Sequence, residues 1–373
     1  MKTCKKMPLS NSFTLADIPT HSTIVIGLSG GPDSVYLLHQ LIELREEERF
    51  TLIAAHLDHE WRNSSIADAV FCKDLCKQLN VTLVSAQASE LDHGATYQGS
   101  QEELGRTIRR FFFKQVMAEH KADYLALAHH QDDQIETFFI NLIRGSTITG
   151  LCGMKAIDTK ALPPFTLIRP LLAIDKQSIL DYLTTHNLTY AIDPTNESDA
   201  YLRNRIRSQV LPAFYACDSR SKEQTMRTIG SLQKTEQFLQ TITAQSLEKV
   251  TIAAIDPANQ DTAHTPHATN DILEHSANQD SAHTPDTTNI ISKSRSTDNT
   301  LTKLNLKLFF ELDSFLQKRV IKAWLATQLP SHRSSQAFFN EIIRFLDSPH
   351  GGTHQLSPEW KLAKKQGFAF IQK

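Results

Sequence analysis

The sequence predicts an α/β fold: a doubly wound parallel sheet, then a helical linker and a small α+β domain towards the C-terminal end. Three observations carry this prediction. In the first half, short apolar runs alternate strictly with amphipathic helical segments, the pattern of a parallel sheet covered on both faces. The length of 373 residues exceeds one average domain and suggests two or three. The composition also breaks abruptly near residue 251.

Thr23–Leu28 reads as the first strand, and Ser34–Leu44 as a helix with Val35, Leu38 and Ile42 on its apolar face. Leu52–Leu57 is a second strand, followed by a helix near Ile66–Leu79. Val81–Ser85 is a third, followed by a long helix over Glu102–Glu119. Tyr124–Ala128 is a fourth, followed by a helix over Asp132–Arg144. These elements place residues 1–218 in one domain, with a helical connector at 219–250 marked by Met226, Ile229, Leu232, Phe238 and Leu239. Residues 251–300 are low in aromatics and rich in Thr, Asn, Asp and His. Within them Ala258–Asn270 returns nearly unchanged at Ala277–Asn289, a tandem duplication with a period of 19 residues. That stretch predicts a disordered linker. Its histidines (His264, His267, His275, His283) lack partner cysteines and a fixed scaffold, so they do not read as a metal site. Residues 301–373 form a C-terminal module, with amphipathic helices over Leu306–Gln328 and Ser335–Leu346 and a small strand pair beyond Thr353.

Hydrophobic residues make up 40% of the chain and charged ones 21%, ordinary for a soluble globular protein. No stretch reaches the roughly 18 apolar residues of a membrane helix. No apolar run follows Lys2, Lys5 and Lys6, so a signal peptide is not expected. Five scattered cysteines with no CxxC pair predict reduced thiols and a cytoplasmic protein without a membrane partner. The net charge of −2 conceals a dipolar distribution: seven acidic and two basic residues in 251–300, against eleven basic and five acidic in 301–373. A basic C-terminal module suits a phosphate backbone. Oligomeric state is left unassigned by the sequence, and a homodimer is compatible with it.

The strongest chemical signal is Ser29-Gly30-Gly31-Pro32-Asp33-Ser34, set between a strand and a helix. Adjacent glycines let the backbone approach an anion, and the helix behind them offers free N–H groups and a positive dipole. Asp33 would be repelled by phosphate alone, so it points to a bridging Mg²⁺ or a water contact. The loop lacks the Gly-Lys-Ser/Thr ending of a Walker A motif and the GxGxxG spacing of dinucleotide folds.

SGGxDS after a first strand resembles the PP-loop of the ATP-pyrophosphatase superfamily, with its adenine-nucleotide-hydrolase-like fold. Further motifs, in order, resemble the tRNA(Ile)-lysidine synthase family within it, over the whole chain except 251–300. They are His56-Leu57-Asp58-His59 with Arg62 and Ser65; Glu102, Arg106, Arg109 and Phe111; and His129-His130-Gln131-Asp132-Asp133-Gln134-Ile135-Glu136-Thr137. Arg144-Gly145, Gly150–Met154, Arg169-Pro170-Leu171-Leu172, Asp193-Pro194-Thr195-Asn196, and Arg203-Asn204-Arg205-Ile206-Arg207 with Pro212 continue the series. The chain departs from the family at Gly105, where alanine is usual, and at Arg110, where an aromatic is common.

The resemblance implies an ATP-dependent ligase that adenylates the wobble cytidine of a tRNA(Ile) with a CAU anticodon and then joins L-lysine at C2. ATP would sit on Ser29, Gly30, Gly31, Pro32, Asp33 and Ser34, with Mg²⁺ on Asp33. Asp33, Arg106, His129, Asp133 and Glu136 would form the catalytic set. Asp133 and Glu136, spaced i,i+3, share a helix face that can hold the lysine ammonium. That ammonium has a pKa of about 10.4 and must lose a proton before it attacks, so a carboxylate beside it could accept one. Arg109, Arg203, Arg207, Lys318 and Arg319 are the expected contacts to tRNA or phosphate. The rival is a PP-loop tRNA-thiolating enzyme, which would want cysteines near the loop.

Overall fold

The computed structural model describes residues 18–61, 65–91, 101–191, 202–253, 302–329 and 335–372. The chain divides into two compact units, Met1–Glu236 and Gln237–Lys373.

The first unit is built on a six-stranded sheet of order β3-β2-β1-β4-β6-β5. Its strands are β1 (Thr23–Gly27), β2 (Thr51–Asp58), β3 (Thr82–Gln87), β4 (Tyr124–Ala126), β5 (Ile157–Leu162) and β6 (Phe165–Ile168). All neighbours are parallel except β5, which runs antiparallel along the edge beside β6. Successive side chains of β1 feed opposite cores, as the two-residue strand period requires. Ile24 and Ile26 pack with Tyr36, Leu38 and Leu41 of α1 (Pro32–Glu48), while Val25 packs with Phe112, Phe113 and Met117 of α3 (Gln101–Glu119). Burial on both faces explains why the strands read as apolar runs rather than alternating patterns.

Strand order reverses at β1, with β2 on one side and β4 on the other. In open α/β sheets ligands settle outside the strands' carboxyl ends at such a point. The loops reaching it are 28–31, 59–61, 127–130 and 169–175, which lead towards α1, α2 (Ser65–Gln78), α4 (Gln131–Ile143) and α6 (Lys176–Thr185). The sequence had no reading for the β5–β6 hairpin or α6. A one-turn helix, α5 (Ile148–Leu151), lies between α4 and β5; beyond α6 come α7 (Leu202–Arg205), a π-helical turn at Ile206–Val210, α8 (Leu211–Cys217) and the long α9 (Ser221–Val250), within which the first unit ends.

The second unit holds a five-stranded antiparallel sheet of order β7-β8-β11-β10-β9. The strands are β7 (Thr251–Ala253), β8 (Thr302–Asn305), β9 (Gly352–Gln355), β10 (Lys361–Lys365) and β11 (Phe368–Gln372). They pack with α10 (Leu306–Phe310), α11 (Ser314–Gln328) and α12 (Gln336–Asp347) around Trp324, Phe309 and Ile342. Three expectations are corrected. The helix expected over 306–328 is two, because Asp313 accepts the Phe315 N–H at 2.8 Å and starts a new helix. The strand pair is part of a five-stranded sheet. Residues 251–253, assigned to the linker, are strand β7; the rest of that linker, with the duplication, lies outside the described residues. Among the described residues no helix is long and apolar enough to cross a membrane.

Candidate active site

The Ser29–Ser34 loop leaves β1 with the Leu28 N–H bonded to the carbonyl of Ala55 on β2. Gly30 adopts φ +83°, the left-handed region glycine tolerates. A Cβ there would meet the Cys72 thiol at 3.3 Å and the Phe71 ring at 3.4 Å. The loop is tied internally: Ser34 Oγ donates to the Gly31 carbonyl at 2.9 Å and accepts from the Ser29 N–H at 3.2 Å. No side chain caps α1, a 17-residue helix with Pro32 in its first turn. Its N-terminal N–H groups and dipole suit an anion.

Beside this loop stands a group of carboxylates and cations. Asp33 accepts from Lys176 Nζ at 2.5 Å. His130 caps α4: its Nδ1 accepts the Asp132 N–H at 3.2 Å, and Asp133 Oδ2 accepts the His130 N–H at 3.0 Å. With Nδ1 an acceptor, the ring proton belongs on Nε2, which lies 3.7 Å from Asp33 Oδ2 and 3.5 Å from Asp133 Oδ2. Asp132 pairs with Lys222 of α9 at 2.7 Å and accepts the Lys176 N–H.

Glu136, one turn along α4, is 1% exposed. Its two oxygens accept from Arg203 Nε at 2.7 Å and Arg207 Nε at 2.6 Å, and Arg203 Nη2 also reaches Asp133 at 3.0 Å. Burial pushes the Asp133 carboxyl up, but His130, Arg203 and His129 outweigh it and hold the group below its ordinary value. Burial pushes Arg207 down, and its bond to Glu136 with the nearby Asp133 and Asp33 carboxylates reverses the shift. The expected pair Asp133 and Glu136 thus share one helix face and are already occupied by two guanidinium groups.

His129, in the loop after β4, is half-buried, and its buried Nδ1 has no partner among the described residues. Burial first, then Arg169, Arg203 and Arg109, push it down to about 4 against the pull of Asp133. The ring is therefore neutral at physiological pH. Arg109 of α3 donates to His59 Nε2 at 3.1 Å, and burial lowers the Arg109 guanidinium, with Arg106 adding repulsion. Arg169 is buried, its Nε has no partner among the described residues, and its Nη1 donates to the Lys155 carbonyl at 2.7 Å. Arg106, Arg109, Arg169 and Arg203 thus lie within electrostatic reach of one another or of His129.

Asp33, His129, Asp133, Glu136, Arg109, Arg203 and Arg207 therefore form one neighbourhood, linked directly or through shared partners. Sequence reasoning missed the roles of His130, Lys176, Lys222 and Arg169 there. Only the His129-His130 doublet before Asp132-Asp133 and the Arg-Pro-Leu-Leu motif signalled two of them. Arg62, the Asp193–Asn196 motif and the Glu102 side chain lie outside the described residues. Lys318 and Arg319 belong to the second unit, where Lys318 is exposed and Arg319 donates to Thr243 Oγ1 at 3.1 Å.

Residues 6–214 match the family described as the PP-loop domain. The chain belongs to the PP-loop family. ATP is the nucleotide this family implies. Among curated proteins, the chain is 36% identical over 231 residues to a tRNA(Ile)-lysidine synthase of Bacillus cereus, covering 62% of this chain and 48% of that protein. It is 36% identical over 251 residues to that of Bacillus subtilis, covering 67% and 52%. It is 33% identical over 240 residues to that of Enterococcus faecalis, covering 64% and 50%. The chain thus spans about half the length of the curated relatives it matches. Among solved structures, the U34-tRNA thiolase NcsA of Methanococcus maripaludis shares the fold, with a TM-score of 0.50 and 20% identity over 59% of this chain and 75% of that one.

Proposed function

We propose that this PP-loop protein ligates L-lysine to C2 of the wobble cytidine of a tRNA(Ile) with a CAU anticodon, through an adenylated cytidine. The observation that carries the reading is the Asp133–Glu136 pair, a dicarboxylate holding two cations beside an uncapped phosphate loop. Arg203 and Arg207 offset the pair's charge here, and a lysine ammonium that displaces one of them would meet the same two carboxylates. The relatives named above support the same chemistry.

In the first step the cytosine O2 attacks the α-phosphate of ATP, and pyrophosphate leaves from the uncapped end of α1. In the second the lysine amine attacks C2, AMP departs with the former O2, and the amine's protons pass to nearby acceptors. Neutral His129 can donate a hydrogen bond to the cytosine oxygen or a phosphate, and Asp133 and Glu136 hold the ammonium and can accept its proton. Cationic side chains beside the α-phosphate offset its developing charge. Mg²⁺ binds through one or two carboxylates plus phosphate oxygens; Asp33, in the first turn of α1, would supply the carboxylate, and the ion would offset charge on the phosphates. Lysine, tRNA and Mg²⁺ belong to this proposal. A thiolating reading would need reactive cysteines, whereas burial pushes the Cys72 thiol up to about 12 and the Cys76 thiol up to about 11.

The test is mass spectrometry of nucleosides from a tRNA(Ile) transcript incubated with ATP, lysine and this protein. Lysidine that depends on both small molecules is the expected result. ATP consumption without a lysine adduct would overturn the assignment.

A further inference from the structure

Trp61, just beyond β2, is 46% exposed. A single exposed aromatic needs no explanation, but this one is held in place from two sides. Its ring stacks on His59, with centroids 4.6 Å apart and planes 24° from parallel. It also lies so close to α3 that a Cβ on Gly105 would fall 2.2 Å from Trp61 Cη2 and 2.6 Å from Cζ2. Atoms do not approach that closely, so the indole occupies the space of the missing methyl group. Glycine inside a helix is unfavourable. Here it admits the Trp61 ring.

Behind the indole, His59 feels both the Arg109 guanidinium and the Asp58 carboxylate. Arg109, one turn beyond Gly105, donates to the His59 ring on which Trp61 stacks. Arg109 also lies within electrostatic reach of Arg106 and of His129 in the candidate active site. A flat, half-exposed aromatic backed by arginines is the means by which proteins hold unpaired nucleobases: the ring stacks on the base, and the cations meet the phosphates.

We propose that Trp61 is a stacking platform for an unpaired nucleobase of the RNA substrate, next to the modified cytidine, with Arg106 and Arg109 supplying the charge for its phosphates. This rests on the RNA-modifying function proposed above. The occupant is an RNA base rather than the adenine of ATP, because the indole is seated on α3 beside Arg109, whereas Phe71 and Cys72 of α2 line the phosphate loop.

The test measures binding of an unmodified tRNA(Ile) transcript with a CAU anticodon, by filter retention at fixed salt, to the full chain and four variants, three single and one double. Trp61→Ala should weaken binding about tenfold, the size expected for removing one base stack. Trp61→Phe should retain most of the affinity. Gly105→Ala, which displaces the ring, should reproduce the Trp61→Ala loss, and the double variant should lose no more than either single one. The wild-type chain gives an independent readout if Trp61→Ala fails to fold: saturating transcript should quench a tryptophan emission component that is missing from Trp61→Phe. Wild-type affinity in Trp61→Ala, or no quenching of the wild-type chain by bound RNA, overturns the platform and leaves the function standing. A raised KM for ATP with unchanged RNA affinity assigns the ring to adenine and equally overturns it. A wild-type chain that neither binds nor modifies the transcript overturns the function and the platform together.

Discussion

Glu136 shows how a charged residue can be buried at low cost and yet stay usable. A carboxylate at 1% exposure is tolerable because both its oxygens are bonded to guanidinium groups. An incoming ammonium must displace one of them, and Arg207, at 47% side-chain exposure, is the less committed. Arg207→Gln should therefore tighten lysine binding by the nucleotide-free protein about two- to fivefold, the equivalent of an exposed ion pair. Calorimetric titration with L-lysine checks this, and unchanged affinity would show that the ammonium does not use this carboxylate. Glu136→Gln should raise the KM for lysine and leave tRNA affinity alone. The histidines make a separate prediction. His59 and His129 are both pushed down to about 4 by burial first, with arginine repulsion added. Their unfolded values lie near 6.5, so between about pH 6.5 and 4 the unfolded chain binds more protons than the folded one. The stability from keeping them neutral is complete above about pH 6.5 and is lost as pH falls towards 4, at up to about 1.4 kcal/mol per pH unit for each. Urea unfolding across that range should show the decline, and His129→Asn should flatten it. An identical slope in the variant would mean that another group titrates.

At the scale of elements, the strands and helices of the first unit were legible because both faces of a parallel sheet are buried, which writes each strand as an apolar run. The β5–β6 hairpin was not. It lies on the sheet edge with Ile157 exposed, and Asp158 bonds the Lys160 and Ala161 N–H groups, so its pattern is broken by local polar bonds and a register shift. The candidate site was legible in halves. Spacing along one helix brought Asp133 and Glu136 together, but their partners Arg203 and Arg207 lie about 70 residues onward and meet them only through the tertiary fold. Lys176 and Lys222 carried no local motif at all. The β7–β8 pair supplies an element-scale prediction. Ala253 and Thr302 are register partners across an antiparallel ladder, so the long duplicated insert enters and leaves at adjacent backbone positions. Replacing residues 254–301 with a two-residue Asn-Gly turn should preserve the ladder, since that turn suits such strands. The expected result is a melting temperature within a few degrees of the parent chain, as surface changes remote from special features seldom exceed about 0.5 kcal/mol, and unchanged lysidine formation. Loss of folding or catalysis would show that the insert is more than a spacer.

At the scale of the whole chain, charge separates the acidic insert from the basic module that follows it. Fixed cations facing a phosphate backbone release condensed counterions when they bind, so each such cation adds to the salt dependence of affinity. Lys318, Lys322, Lys361 and Lys365 are exposed in the second unit and are available for this. Lys364, in the same basic run, is used differently: its Nζ donates to the Leu346 carbonyl at 2.6 Å and to that of Ser348, closing the C-terminal end of α12. The two kinds of lysine should therefore respond differently to neutralisation. Replacing Lys318, Lys322 and Lys361 by Gln should weaken tRNA binding and reduce the slope of log affinity against log salt by roughly 0.7 to 0.9 for each phosphate-bound cation removed. Lys364→Gln should instead lower the melting temperature with little change in that slope, because it removes a helix cap rather than a phosphate partner. Measuring tRNA affinity between low and physiological salt for both variants, beside thermal unfolding, distinguishes the roles. A triple variant that keeps the full parent slope would place the electrostatic grip on tRNA in the first unit, among Arg106, Arg109, Arg203 and Arg207. Since Glu136 already engages two of those arginines, part of that grip would then be drawn from the same side chains that now occupy the acidic pair.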